Sequence, residues 1–390
     1  MRLFYAAGPG DVIAAHRHWR RGEHDPTEVA ITFSSQLQDF CRARGAAAWI
    51  VSYHPRRERL DDGEFVIEHL PRRENGGALA YHLDQLGYAL RLLARAVRFR
   101  ADVALIDSGT AHPFLLGLFA LFGMRVIPVL HNTLWPHGFP PTRAIPRLLL
   151  RLDALFWRTV PLATLCVSPE CARQVEELTG GRARPLAQIR AQFHPGYFAA
   201  IPPPPPHAER PFRVLFIGRV HRDKGVFDLL DMAAELEAER PGGVHFEVCG
   251  RGPALEELAA RRKERGLEGA VTLHGWTSLE ALQAIYARSH AAIVPTRSGF
   301  IEGLAMTAAE AILAGRPLVT NPVVPALELL RPACVAGKTD DAPSHAAAIR
   351  ALADDPALYA RLRAACPAAG APFVDRSQGL TAALERALPA

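Results

Sequence analysis

Arg213-Val214-Leu215-Phe216-Ile217-Gly218-Arg219-Val220-His221-Arg222-Asp223-Lys224-Gly225 opens a pattern that repeats through the second half of the chain. A short, mostly apolar run stops at a glycine. A basic loop follows, and a helical pattern opens at Val226 and continues to about Glu239. Strand, glycine turn and helix in that order open a βαβ unit. The unit then repeats. Val244 to Val248 reads as a strand, Ala254 to Arg265 as a helix, and Ala270 to Leu273 as a strand. Ser278 to Ala287 reads as a helix, Ala291 to Val294 as a strand, Ala305 to Ala314 as a helix, and Pro317 to Thr320 as a strand. Strands alternating with helices of this length predict a parallel, doubly wound α/β sheet.

Working upstream, Pro202 to Pro206 are five consecutive prolines. They favour a stiff extended segment and cannot enter a helix or a central strand. They are read as part of a linker over about 201–210, between an N-terminal domain over 1–200 and a C-terminal domain over 211–375. A last helix over about 376–390 is expected to pack back on the first domain. Before the linker, Arg2 to Tyr5, Ala48 to Val51, Val103 to Ile106 and Val126 to Leu130 read as strands. Helices are expected over Ser34 to Arg44, Ala78 to Arg98 and Ile145 to Trp157. Two such domains in series predict a ligand site at the carboxyl ends of the strands, in a cleft between the domains.

Composition agrees with a globular chain long enough for two cores: 49% of its 390 residues are hydrophobic and 22% charged. The apolar run Phe114 to Phe122 is too short to span a bilayer and reads as a buried helix. No targeting segment is visible at Met1 to Gly8. The six scattered cysteines show neither zinc spacing nor a disulfide framework, so they are expected to be reduced and the chain cytoplasmic. Residues 1–200 carry 24 Lys and Arg against 18 Asp and Glu, which suggests an anionic partner for that half. Arg143, Arg147 and Arg151 share a helical face with leucines beside them, a pattern suited to peripheral contact with the inner face of a membrane.

Three features fall at strand ends in the second half. Arg219 and Lys224 can point from one loop and neutralise a diphosphate, one as a planar fork and the other as a point charge. Lys224 is one of only three lysines, so its place in the motif is informative. Glu302 precedes a helix and Glu310 lies inside it. The helix start, rich in small residues, can offer N–H groups to phosphate, with hydroxyl groups of a bound molecule reaching the two carboxylates. Gly250-Arg251-Gly252-Pro253 turns sharply after a strand and permits close backbone approach.

In order, these blocks resemble the C-terminal domain of the family 4 retaining glycosyltransferases, which have the two-domain GT-B fold. The matching stretches are Phe216-Ile217-Gly218-Arg219 with Lys224-Gly225, Gly250-Arg251-Gly252-Pro253, Leu273-His274-Gly275-Trp276, Pro295-Thr296, Glu302 to Glu310, and Ala314-Gly315-Arg316-Pro317. The resemblance implies two Rossmann-like domains facing each other across a cleft. It implies transfer of a sugar from a nucleotide-diphosphate donor, UDP or GDP ahead of ADP, to a sugar or lipid-linked acceptor, as in lipopolysaccharide, glycolipid or exopolysaccharide synthesis. It also implies retention of configuration by front-face transfer.

Residue by residue, it implies that Arg219 and Lys224 hold the diphosphate and that Glu310 binds ribose. Glu302 would face the donor sugar beside the amides of Gly303, Leu304 and Ala305, with Gly250 and Gly275 also at the donor. Leu304 stands where the family usually has Phe. In the first half, Gly10 is the candidate for the glycine loop near the phosphates. His131 is the candidate for a group beside the transferred sugar, with Asp107 and His112 as rivals. No Asp-x-Asp pair appears, so neither a metal nor another cofactor is expected, and no nucleic-acid partner. The alternatives are a GT-B-like nucleotide-sugar epimerase or phosphorylase, or a non-catalytic nucleotide-sugar-binding protein.

Overall fold

The computed structural model describes residues 1–72 and 77–389, which divide into two compact units. The first comprises Met1–Leu134, Pro141–Gln192 and Asp375–Ala390; the second comprises Trp135–Pro140 and Phe193–Val374. The proline run lies within the second unit and is tied down there. Arg316, itself buried, donates to Pro202 O at 2.9 Å, and the His290 ring reaches Pro206 O at 3.4 Å.

The first unit is built on an eight-stranded sheet. In chain order its strands are β1 (Arg2–Ala7), β2 (Ala47–Ser52), β3 (Glu58–Asp62), β4 (Phe65–His69), β5 (Val103–Asp107), β6 (Arg125–Leu130), β7 (Thr164–Cys166) and β8 (Leu186–Gln188). They lie in the order β3-β4-β2-β1-β5-β6-β7-β8, all parallel to their neighbours except the antiparallel edge strand β3. Leu3 to Ala6 and Val103 to Ile106 are buried without alternation, as expected of strands covered on both faces. The closing helix Leu380–Ala387 joins this unit: Leu380 N donates to Gln36 Oε1 at 2.8 Å and Thr381 Oγ1 to Gln36 O at 2.8 Å.

One expectation fails here. Phe114 to Phe122 is not a single buried helix. Pro113–Leu116 forms a 3-10 turn, and a five-residue helix follows over Gly117–Leu121. Leu116 and Phe119 point into the core, whereas Leu121 is 81% exposed and Phe122 60%. A helix this short turns only one face to the sheet, so the remaining apolar side chains stay outside.

The second unit holds six parallel strands: β9 (Phe212–Ile217), β10 (Val244–Cys249), β11 (Val271–Gly275), β12 (Ala291–Val294), β13 (Leu318–Thr320) and β14 (Cys334–Ala336). Their order is β11-β10-β9-β12-β13-β14. Val214, Phe216, Phe246 and Ile293 form the core with Leu229 and Met232 of helix Val226–Glu239. In each unit, consecutive crossovers run outward from a central strand in one direction and then reverse. That reversal falls between β1 and β5 in the first unit and between β9 and β12 in the second. Such switch points are where open α/β sheets leave a crevice for ligands. All six cysteines are free, five of them buried.

Candidate functional site

The second unit's switch point is assembled by two loops, one after β9 and one after β12. The first is compressed by glycine. Gly225 has φ +73°, and a Cβ there would lie 2.2 Å from Pro295 O, so only glycine lets this loop close on the loop after β12. Closure brings Lys224 directly onto Glu302, 78 residues away in the chain, as an ion pair. Thr296 Oγ1 donates to the same Glu302 oxygen at 3.3 Å. The Phe300 ring lies beneath both cations, 3.9 Å from Lys224 Nζ and 5.7 Å from the Arg219 guanidinium carbon. Arg219 is exposed and has no ion-pair partner among the described residues.

Glu302 lies in the loop and Glu310 inside helix Met306–Leu313, as the spacing required. Gly303, Leu304 and Ala305 are buried at the helix start. Among the described residues no side chain caps that helix, and Ala305 holds φ +68°, a left-handed conformation costly for a residue with a Cβ. The uncapped first turn therefore leaves a partial positive charge next to the Lys224–Glu302 pair. Glu310 lies near Tyr197 and Tyr286, whose hydroxyls are held well above their ordinary range, by burial first and by that carboxylate second.

The loops after β9, β10 and β11 are stitched edge to edge. Gly218 N donates to Cys249 O at 3.0 Å, Gly250 N to Gly275 O at 2.7 Å, and Val220 N to Arg251 O at 2.8 Å. A Cβ on Gly250, at φ +147°, would fall 1.8 Å from Gly218 O. Behind them Glu247, 1% exposed, gathers Arg213, Arg288 and His274 at 2.6–2.9 Å. Burial opposes its charge, but these partners prevail and hold its carboxyl down at about 2. His274 thus belongs to the support of the sheet.

In the first unit the loop Gly8 to Gly10 leaves β1 and lines a cavity of about 470 Å³ with Tyr5, Asp11, Phe33 and Asp107. Asp107 ends β5 and is buried. It accepts from Tyr5 Oη at 2.8 Å, and His131 Nε2 lies 2.9 Å from its other oxygen. His131 follows β6. Its backbone N–H donates to Ser108 Oγ at 2.9 Å, and its ring stands edge-on to Phe33. Asp107 and His131 are therefore joined as one couple, while His112 pairs with His82 at 2.9 Å.

Sequence reasoning missed Phe300, Thr296 and Tyr5. Phe300 was within reach, as an aromatic two residues before Glu302. Thr296 carries no signal beyond its place in the Pro295-Thr296 stretch. Tyr5 looked like any core residue of a strand.

Residues 198–367 match the model of the family described as glycosyl transferases group 1. Alpha-D-kanosaminyltransferase of Streptomyces kanamyceticus is 31% identical over 156 residues, 40% of this chain and 39% of that protein. This chain thus aligns with well under half of that relative's length. Glycogen synthase of Mycobacterium tuberculosis is 26% identical over 294 residues, 73% of this chain and 68% of that one. Among solved structures, HepE of Anabaena in complex with UDP superposes with a TM-score of 0.66 at 17% identity, over 96% of this chain and 95% of that one. The fold is GT-B, and the matched segment 198–367 contains every strand of the second sheet with its switch-point loops.

Proposed function

We propose that this chain is a glycosyltransferase that takes a sugar from a nucleotide-diphosphate donor held by the second unit. One observation carries the reading: Lys224, Glu302 and an uncapped helix start converge at the switch point of a parallel sheet, with the exposed Arg219 beside them. In glycosyl transfer the anomeric C–O bond breaks and the departing diphosphate gains negative charge. Arg219, Lys224 and the first turn of helix Met306–Leu313 act as fixed positive groups for that charge. Glu302 faces the sugar and Glu310 the ribose. Retention of configuration follows from the resemblance of the motif set. UDP is the first donor nucleotide to test, because HepE, a structural neighbour, is described bound to it.

The first unit is assigned the acceptor. His131, steadied by Asp107, is its candidate polar group, and Gly10 lines the adjoining cavity. A lipid-linked acceptor is favoured by the helix Ala144–Thr159. Ile145, Leu148, Leu152 and Leu155 are all exposed on one side, flanked by exposed Arg143, Arg147 and Arg151. Its Asp153, Phe156 and Trp157 are buried. An apolar ridge bordered by arginines suits the surface of an anionic bilayer. Among the described residues no helix is long and apolar enough to cross a membrane.

A thermal-shift panel of UDP, GDP and ADP with their sugar conjugates tests the donor. A nucleotide at 100 times its dissociation constant should stabilise the chain by roughly 2.7 kcal/mol. No shift with any of them would remove the donor site.

A further inference from the structure

The cavity of about 470 Å³ in the first unit is opposite in charge to the half of the chain that builds it. Residues 1–200 carry an excess of Lys and Arg, yet neither occurs among the described residues that line the cavity. Four carboxylates do: Asp11, Asp25, Glu28 and Asp107. His18 also lines it, but already lies 3.5 Å from Glu23. Asp107 is the most buried of the four, with its side chain 7% exposed. Tyr5 Oη donates to its Oδ2, whereas Oδ1 accepts no hydrogen bond; His131 Nε2, 2.9 Å away, makes none either. A buried carboxylate oxygen with unused acceptor capacity in a cavity wall calls for a donor from outside. Asp25 Oδ1 accepts from Thr27 N at 2.9 Å and from Thr27 Oγ1 at 2.7 Å, but neither Asp25 nor Glu28 has a cationic partner among the described residues.

Two helix starts also face the cavity, those of Val12–Arg21 and Phe33–Arg44, and a bare helix start favours an anion. Both are capped: Asp11 accepts from Ala14 N at 2.8 Å and Thr32 Oγ1 from Ser35 N at 3.1 Å. The full charges of the carboxylates therefore set the sign. A metal ion needs several ligands converging on one point, and among the described residues no group of three or more His, Cys, Asp or Glu does so. Carboxylates spread around a cavity of ligand size, with Phe33 and Tyr5 in its wall, suit an organic molecule that carries ammonium groups.

We propose that the end of the acceptor entering this cavity is an amine-bearing polyhydroxylated ring, its ammonium groups held by Asp25 and Glu28 and a hydroxyl turned towards Asp107 and His131. The inference rests on the assignment of the acceptor to the first unit and names its charge class. A lipid at the acceptor's other end is compatible with it.

The test is calorimetric titration of the full chain, at neutral pH, with the glucosamine disaccharide, its N-acetylated form and glucose 6-phosphate. The amine should bind about tenfold or more tightly than the neutral disaccharide, and added salt should narrow the gap. Asp25→Asn combined with Glu28→Gln should bring the amine level with the neutral form and leave UDP binding unchanged. Asn at position 25 keeps an oxygen for Thr27, and urea titration checks the fold. Glu28→Gln alone, at an exposed position, gives the same readout should the pair unfold. The amine class is overturned if the charged disaccharide does not bind, binds no better than the neutral one or less tightly than glucose 6-phosphate, or binds the double variant as it binds the wild type. UDP, GDP and ADP titrated into the same preparations report separately. Nucleotide binding without a preference for the amine sinks this inference alone, whereas failure of all three nucleotides sinks the donor reading.

Discussion

Lys224 and Glu302 neutralise each other at the strand-order reversal of the second sheet, the cation from the loop after β9 and the carboxylate from the loop after β12. Both are largely withdrawn from water, 17% and 10% exposed at their side chains. A diphosphate bound at Lys224, as proposed, would share that cation with Glu302. Glu302→Gln removes that competition. It should bind a nucleoside diphosphate at least as tightly as the wild type, while turnover of the nucleotide sugar falls by about 10²–10³. Calorimetry beside steady-state kinetics separates the two effects. Parallel losses in both would refute the shared-cation arrangement.

Arg219→Ala should act on binding and turnover alone. The side chain is exposed and makes no ion pair among the described residues, so folding stability should move by less than about 0.5 kcal/mol. Nucleoside diphosphate affinity should drop about tenfold, as expected for losing one charge-assisted contact. Urea titration and nucleotide titration of the same preparation give both numbers.

Gly250→Ala should act on stability and on binding together. Its Cβ would collide with Gly218 O, and its φ of +147° is closed to residues with side chains. Strain of this kind costs about 1–3 kcal/mol before the clash is added. The variant should unfold at clearly lower urea, and its nucleotide binding should be lost through displacement of the 218–225 loop.

Two groups of the second unit, His290 and Glu247, each withdraw stability on acidification, in separate windows. His290 Nδ1 accepts from Arg213 N at 3.0 Å, and its buried ring stacks on Phe212. Burial first holds its pKa down to about 4. The unfolded chain takes up that proton first, so this stabilisation is lost as pH falls from about 6.5 towards 4, up to about 3 kcal/mol. Glu247, at about 2, contributes a second loss of similar size below about pH 4.5. Asp153, raised to about 7 by burial, has the opposite sign in the first unit. Urea midpoints of wild type and His290→Asn across pH 4–7 isolate the first window. The wild type should lose more stability than the variant between about pH 6.5 and 4, by up to about 3 kcal/mol, and parallel curves would contradict the assignment.

The ridge of Ile145, Leu148, Leu152 and Leu155 predicts salt-sensitive pelleting with vesicles containing phosphatidylglycerol, and little with neutral vesicles. Leu148→Glu together with Leu152→Glu should abolish it without altering nucleotide binding. No pelleting by the wild type at low salt would end the membrane reading.

Much of this was legible in the linear chain. The alternation of apolar runs with amphipathic stretches determined parallel α/β sheets, because strand and helix periods are local properties of the backbone. The loop after β9 and the Glu302 to Glu310 spacing determined which residues lie at strand ends. Tertiary structure alone decided which of them meet. That Lys224 spends its charge on Glu302, that Asp107 and His131 are one couple rather than rivals, and that Phe114 to Phe122 breaks and surfaces are consequences of packing. They depend on strand order and on where a glycine lets two loops close, and neither is encoded in any short window of sequence.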